Sequence, residues 1–208
     1  YTLATKEVFV PEDFSLAGLD YMNAGNTSYE YAVVPVFHGM EGSYNITDVE
    51  STLTGIFLAE KDNILGTDIT DGFCDITRTD PSTYVETMHN RYPTSIDTTI
   101  ANYDVIKCCG TFVEFNEEEC RNEFDDDHKR TFYQKSVMDF LTNRKPKLLK
   151  HHDGRMWLVR VDPNPTDSAN QVYNYRELTF SCTEIGDYQS EEDLYYTNLS
   201  DVTEEWWN

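Results

Sequence analysis

Short apolar runs, set between stretches rich in Gly, Asn, Asp, Thr and Pro, make up most of the 208-residue chain. The run YEYAVVPVF, residues 29–37, is β-branched and aromatic and predicts a strand. HGMEGSYN follows as a turn in which Gly39 and Gly42 can supply positive φ. STLTGIFLAE (51–60), VIKCCGTFVEF (105–115) and RELTFSCTEI (176–185) predict three more strands. Gly110 marks a bulge in the second of these, and Leu178, Phe180 and Cys182 share one face of the third. Residues 62–104 are polar and punctuated by Gly66, Gly72, Pro81 and Pro93. They predict short strands and long loops and leave room for an inserted lobe over 61–104.

Helical spacing is clear in one segment, EFDDDHKRTFYQKSVMDFLTN, residues 123–143. Phe132, Val137, Phe140 and Leu141 recur at that spacing and define an apolar face. Asp125, Asp126 and Asp127 offer an N-cap and complement the helix dipole, while Asn143 and Pro146 end the helix.

The next stretch, KPKLLKHHDGRMWLVRV (145–161), reads as a hairpin. Asp153-Gly154 lies between two apolar-rich runs and suits a type I′ turn, with strands over 147–152 and 155–161. Trp157, Val159 and Val161 share one face, and Met156, Leu158 and Arg160 the other. Both faces are largely apolar, so cover is expected on both sides. His151 and His152 fall beside the turn and point to opposite faces, which prevents them from chelating one metal. They read as a polar hairpin tip. DPNPTDSANQVYN then forms a long loop. Asp162, Asn164 and Asp167 give it a faint likeness to a calcium loop, but the glycine and glutamate of such a loop are missing. The tail is acidic and aromatic, and Trp206 and Trp207 are expected to dock on this chain or on a neighbour.

Composition sharpens this picture. The chain is 39% hydrophobic and 13% aromatic, with 14 tyrosines, which suits a packed β core and subunit interfaces. The formal net charge is −22, so the general surface is unsuited to phosphate contacts. Cys74, Cys108, Cys109, Cys120 and Cys182 are odd in number and contain no C-x-x-C pair, so they read as mostly free thiols rather than a disulfide framework or a zinc site. No apolar run is long enough for a membrane-spanning helix, and no signal-peptide pattern is visible. The sequons at Asn26, Asn45 and Asn198 matter only in a secretory pathway. No G-x-S-x-G, Gly-rich phosphate loop, H-E-x-x-H or dinucleotide fingerprint occurs, so no enzyme, catalytic residue, cofactor or metal site is expected.

The order of the pieces is more specific than any one of them. DFLTNRKPKLLK leads into HHDGRMWLVRV, then a loop, then ELTFSCTEIGD and SEEDLYYTNLSD. This succession resembles tail-tip or baseplate structural proteins of tailed bacteriophages, of the distal-tail and tail-hub kind. The resemblance extends more weakly through VVPVFHGMEGSYNITDVESTLTGIFLAE and RYPTSIDTTIANYD. His151 and His152 stand where an ordinary polar pair is usual, and Cys182 where an aromatic residue is usual.

The resemblance implies a mainly β (α+β), tail-tube-like barrel or sandwich with one long helix packed on the sheet. It implies a tail located in the virion and made in the bacterial host cytoplasm. There the chain would form a ring, most often of six copies, joining the tail tube to the receptor-binding apparatus. Its partners would be itself and the neighbouring tube, hub and baseplate proteins. Six copies at −22 carry −132, which would let DNA slide through the lumen without binding. On this reading residues 1–28 are an arm, 29–200 the β-rich domain and 201–208 an aromatic tail. A tail-tube subunit stacked into long tubes shares this architecture. The rival from another class is a secreted calcium- or carbohydrate-binding β-domain, favoured by the sequons and acidic loops and disfavoured by the unpaired cysteines.

Overall fold

The structure is a computed structural model that describes residues 6, 9, 20, 22–61, 63–67, 75–97, 100–116, 121–122, 127–169 and 176–200. The described residues are mainly β, with two helices. Seven strands form one antiparallel path. These are β5 (Ile56–Ala59), β6 (Ile64–Thr67), β7 (Asp75–Thr79), β10 (Tyr103–Gly110), β13 (Lys147–His151), β14 (Met156–Val161) and β16 (Arg176–Gly186). Their order is β6-β5-β13-β14-β16-β10-β7, and an eighth strand, β15 (Thr166–Ala169), pairs with β16 beyond the end of β14. The ends of this path do not meet, so the sheet is open rather than a closed barrel.

Among the described residues four strand pairs stand apart from the main sheet. β1 (Thr27–Val33) pairs with β4 (Asn45–Ser51), and between them β2 (Val36–Phe37) pairs with β3 (Met40–Glu41). β8 (Ser82–Val85) pairs with β9 (Thr94–Asp97). β11 (Phe115–Asn116) pairs with β12 (Arg121–Asn122). The expected strand over 29–37 is thus divided at Val34-Pro35, as the missing N–H of proline requires. The strand expected over 51–60 is confined to its apolar second half.

Alternation puts cover on both faces of the main sheet. Ile56, Leu58, Leu149, Trp157, Val159, Val161, Leu178, Phe180 and Cys182 pack with Val137, Phe140 and Leu141 of helix α1 (Asp127–Thr142). Ala59, Leu148, Met156 and Leu158 pack on the other face with Leu194 and Leu199, in and just after the short helix α2 (Glu191–Tyr196). Sequence reading did not assign α2. Ser190 caps it by accepting from the Asp193 N–H, and Glu191, Glu192 and Asp193 favour its N-terminal end.

The two-sided cover expected for 155–161 is present, and Leu178, Phe180 and Cys182 are all buried. Phe132 is a correction: it is 73% exposed, and Tyr133 takes the place on the inner stripe. Phe132 precedes Val137 by five positions, about 140° around a helix, whereas Tyr133 lies about 40° away. The acidic cap at 125 and 126 falls outside the described residues.

The expected bulge is also in a different place. β10 runs without a shift to Gly110, while the register slips where Leu158 faces Gly186 and Val159 faces Glu184. Ile185 is the extra residue and is half exposed. A Cβ on Gly186 would lie 3.0 Å from the Asp193 carboxylate and 3.1 Å from Leu158. The TEIGD segment is thus a bulge that lets α2 sit close to the sheet.

Candidate functional site

Two regions carry unusual side chains: the projecting hairpins and the buried start of β13. The β1–β4 ribbon runs for seven residue pairs, roughly 24 Å at about 3.4 Å per residue. Its register separates two faces. Tyr29, Tyr31 and Val33 lie with Val49, Thr47 and Asn45, while Ser28, Glu30 and Ala32 lie with Glu50, Asp48 and Ile46. Glu30 faces Asp48 directly, a cross-strand like-charge pair that weakens a ribbon. No Lys or Arg occurs between residues 27 and 51 to relieve it.

At the end of this ribbon Val33, Val36, Phe37 and Met40 are 64–75% exposed. Gly39 has φ +75°, as its turn requires, whereas Gly42 has ordinary φ and only His38 joins Gly39 in the left-handed region. The β8–β9 ribbon repeats the pattern, with Tyr84, Met88, Tyr92 and Ile96 exposed. A two-stranded ribbon alone is marginal in water, and covering one Val, Phe or Met side chain contributes about 1.5–3 kcal/mol. Both ribbons therefore keep apolar surface that no described residue covers.

The root of the first ribbon is clamped. Tyr31 donates to Asp20 at 2.7 Å, and burial with this carboxylate pushes its phenol up to about 12. The Tyr29 hydroxyl accepts from the Ala24 N–H at 2.6 Å, and Asn23 donates to Ser51 at 3.1 Å. Lys150, fully buried on β13, donates from Nζ to Asn23 Oδ1 at 3.0 Å. Burial pushes its amine down from 10.5 to about 8, against the pull of Asp20.

Lys147 is also fully buried, on the opposite face of β13. Its Nζ lies 2.8 Å from Glu60 Oε1, donates to Asn143 Oδ1 at 2.7 Å and to the Lys145 carbonyl at 3.1 Å, and sits 4.6 Å from the Phe140 ring centre. Asn143 in turn donates from Nδ2 to Glu60 Oε1 at 2.6 Å. Burial pushes the Lys147 amine down, with Glu60 opposing. Burial alone would raise the Glu60 carboxyl, but hydrogen bonds from Asn143 and Lys147 hold it below the usual range. Arg144, with φ +62°, turns the chain from the helix into the strand so that Asn143 and Lys147 meet.

The 147–161 hairpin forms as expected, with a different tip. Lys150 pairs with Met156 and His151 N–H donates to the Arg155 carbonyl, leaving a three-residue connection. Gly154 alone of these has positive φ, at +92°, so the turn is not type I′. The expectation that His151 and His152 point to opposite faces is also corrected: their rings lie together, and the tip is partly buried. His151 is 3% exposed, its ring lies 4.2 Å from that of His152, and its Nδ1 is 2.9 Å from Asp153 Oδ1. The tip is held by residues near the ribbon root: Asn26 Nδ2 donates to the His152 carbonyl at 2.7 Å, and His152 N–H to the Gly55 carbonyl at 3.0 Å. The structure thus buries His151 and leaves His152 half-buried beside it.

Among the described residues no group of three or more His, Cys, Asp or Glu is arranged to hold a metal. Cys108 and Cys182 are buried, and Cys109 is half-buried and donates from Sγ to Glu177 at 2.7 Å. Asp162 accepts from Thr183 and Asp167 from Arg176, which separates the residues of the faint calcium loop. Cys74, Cys120, Trp206 and Trp207 lie outside the described residues. No described helix is long and apolar enough to cross a membrane. No family model matches the chain, and neither does any curated protein.

Proposed function

We propose that this chain is a structural subunit of a phage tail tip or baseplate, built on a tail-tube-like fold. It would assemble as a ring that joins the tail tube to the receptor-binding apparatus. The observation that carries this reading is the pair of projecting ribbons, whose apolar ends are exposed on a chain of net charge −22. General self-repulsion disfavours chance association of such a chain, so the exposed apolar side chains of the ribbons are where specific contacts between copies concentrate. The order of sequence segments supports the same reading. The acidic face of the first ribbon, Glu30, Asp48 and Glu50, suits a lumen through which DNA passes without sticking.

The test is native mass spectrometry at low salt with negative-stain imaging, on the full chain alone and mixed with isolated tail tubes. Closed rings of about six copies support the proposal. Replacing residues 33–40 with a short polar turn should leave folded monomers. A chain that remains monomeric in both settings overturns the reading, and long stacked tubes would reassign it to the tube subunit.

A further inference from the structure

Lys147, Asn143 and Glu60 form a closed triangle, not a simple ion pair. The carboxylate oxygen Oε1 of Glu60 touches both the Lys147 amine, at 2.8 Å, and the Asn143 amide nitrogen, at 2.6 Å. The amine also touches the amide oxygen of Asn143 at 2.7 Å. We infer that this triangle is the site of an intramolecular amide cross-link, in which Lys147 Nζ replaces the side-chain nitrogen of Asn143.

The chemistry asks for four things: a neutral amine, an amide carbonyl within its reach, an acid that can move a proton from the incoming to the outgoing nitrogen, and little competing water. Lys147 is 0% exposed and Glu60 is 11% exposed, so the amine and the acid are kept from water although Asn143 itself lies at the surface. The Phe140 ring lies against the amine. Burial weakens the Lys147 ammonium, and although hydrogen bonds hold the Glu60 carboxyl below its usual range, their 2.8 Å contact gives the proton a direct path, leaving an amine and a carboxylic acid for the attack.

Lys147 Nζ then attacks Cγ of Asn143 and forms the new C–N bond. Glu60 supplies a proton to the amide nitrogen and takes back one of the protons of the attacking nitrogen. The old Cγ–Nδ2 bond breaks, its electron pair stays with nitrogen, and ammonia leaves. In water ammonia takes up the remaining proton, so one ammonium ion departs and Glu60 ends as a carboxylate. No oxidant, reductant or metal takes part. The cleft of about 540 Å³ lined by Glu60, Asn143, Phe140 and Lys145 gives ammonia a way out.

Lys150 and Asn23 provide an internal contrast. Their contact is 3.0 Å, but Asn23 Nδ2 donates to the Ser51 hydroxyl rather than to a carboxylate. A hydroxyl at the leaving nitrogen does not supply the acid, so this pair is expected to remain a hydrogen bond.

The inference is independent of the assembly reading, because it is tested on the mass of the denatured full chain. That mass should fall below the sequence value by one ammonia, about 17 Da. Trypsin should then fail at Lys147 and yield a branched peptide joining residues 136–144 to 145–150. Glu60→Gln and Lys147→Arg should each restore the full sequence mass. An unmodified wild-type mass overturns the proposal. So does a loss of ammonia with Lys147 still cleaved, which would mark ring closure of Asn143 on its own backbone. Both readouts come from the wild-type chain and stand even if a variant fails to fold.

Discussion

The β13–β14 hairpin and the β1–β4 ribbon are both antiparallel pairs with apolar side chains, yet their surroundings are opposite. Every residue of β13 is buried, including two lysines and a histidine, whereas six of the seven residues of β4 are exposed. The difference is the neighbours. β13–β14 lies between β5 and β16 with a helix over each face, so even its cations are drawn inside and must find Glu60, Asn143 and Asn23. Beyond the contacts of Tyr29 and Tyr31, the ribbon has no further strand beside it among the described residues and keeps Phe37 and Met40 in solvent. Apolar alternation therefore states that a strand expects cover without stating which molecule supplies it.

Substitutions should separate the two regions sharply. The largest effect is expected for Trp157→Ala, which empties a core position and leaves Asp104 without the indole donor at 3.1 Å. A loss of about 3–5 kcal/mol should appear in urea unfolding. Next is the pH response of Lys150. Its folded-state amine titrates near 8 and its unfolded one near 10.5, so between these values the unfolded chain holds more protons. Stability should rise with pH across that window, by no more than about 3 kcal/mol. Lys150→Met should flatten the rise; a rise of equal size in the variant would assign it to other groups.

Gly154→Ala should cost about 1–2 kcal/mol, because the residue holds φ +92° and a Cβ would lie 2.9 Å from the Gly25 carbonyl. The smallest effect on folding is expected in the ribbon. Phe37→Ser should shift monomer unfolding by less than about 0.5 kcal/mol while reducing ring formation in native mass spectra. A large loss of monomer stability from Phe37→Ser would mean that the ribbon packs on its own chain.

The local parts of this fold were legible in the chain. Alternation on both faces of 155–161 foretold two-sided cover, and the strand at 176–185 followed from Leu178, Phe180 and Cys182. The turn was not, because Asp-Gly serves both a two-residue and a three-residue connection, and pairing of Lys150 with Met156 decides between them. The C-terminal end of the helix was legible, but Phe132 was assigned to the inner stripe by hydrophobicity against the angular spacing. The sheet order, with β10 and β14 on either side of β16, depends on contacts far apart in the chain. The lysine sites were missed for the same reason: Glu60 and Asn23 are remote in sequence. A signal did exist. If β14 is covered on both faces, its partner β13 is too, and Lys147 and Lys150 on opposite faces must both go inward.

The ladder of the first ribbon closes on itself, with Thr27 opposite Ser51 at its base. Asn23, Ala24 and Asp20 hold this ribbon at Ser51, Tyr29 and Tyr31, all in its lower part. Length, tip composition and charge can change beyond Tyr31 without moving any strand of the main sheet. Such a layout is modular in the evolutionary sense: a lineage can exchange the ribbon for another, and with it the shape of whatever the ribbon grips, while the core sequence drifts at its own slower pace.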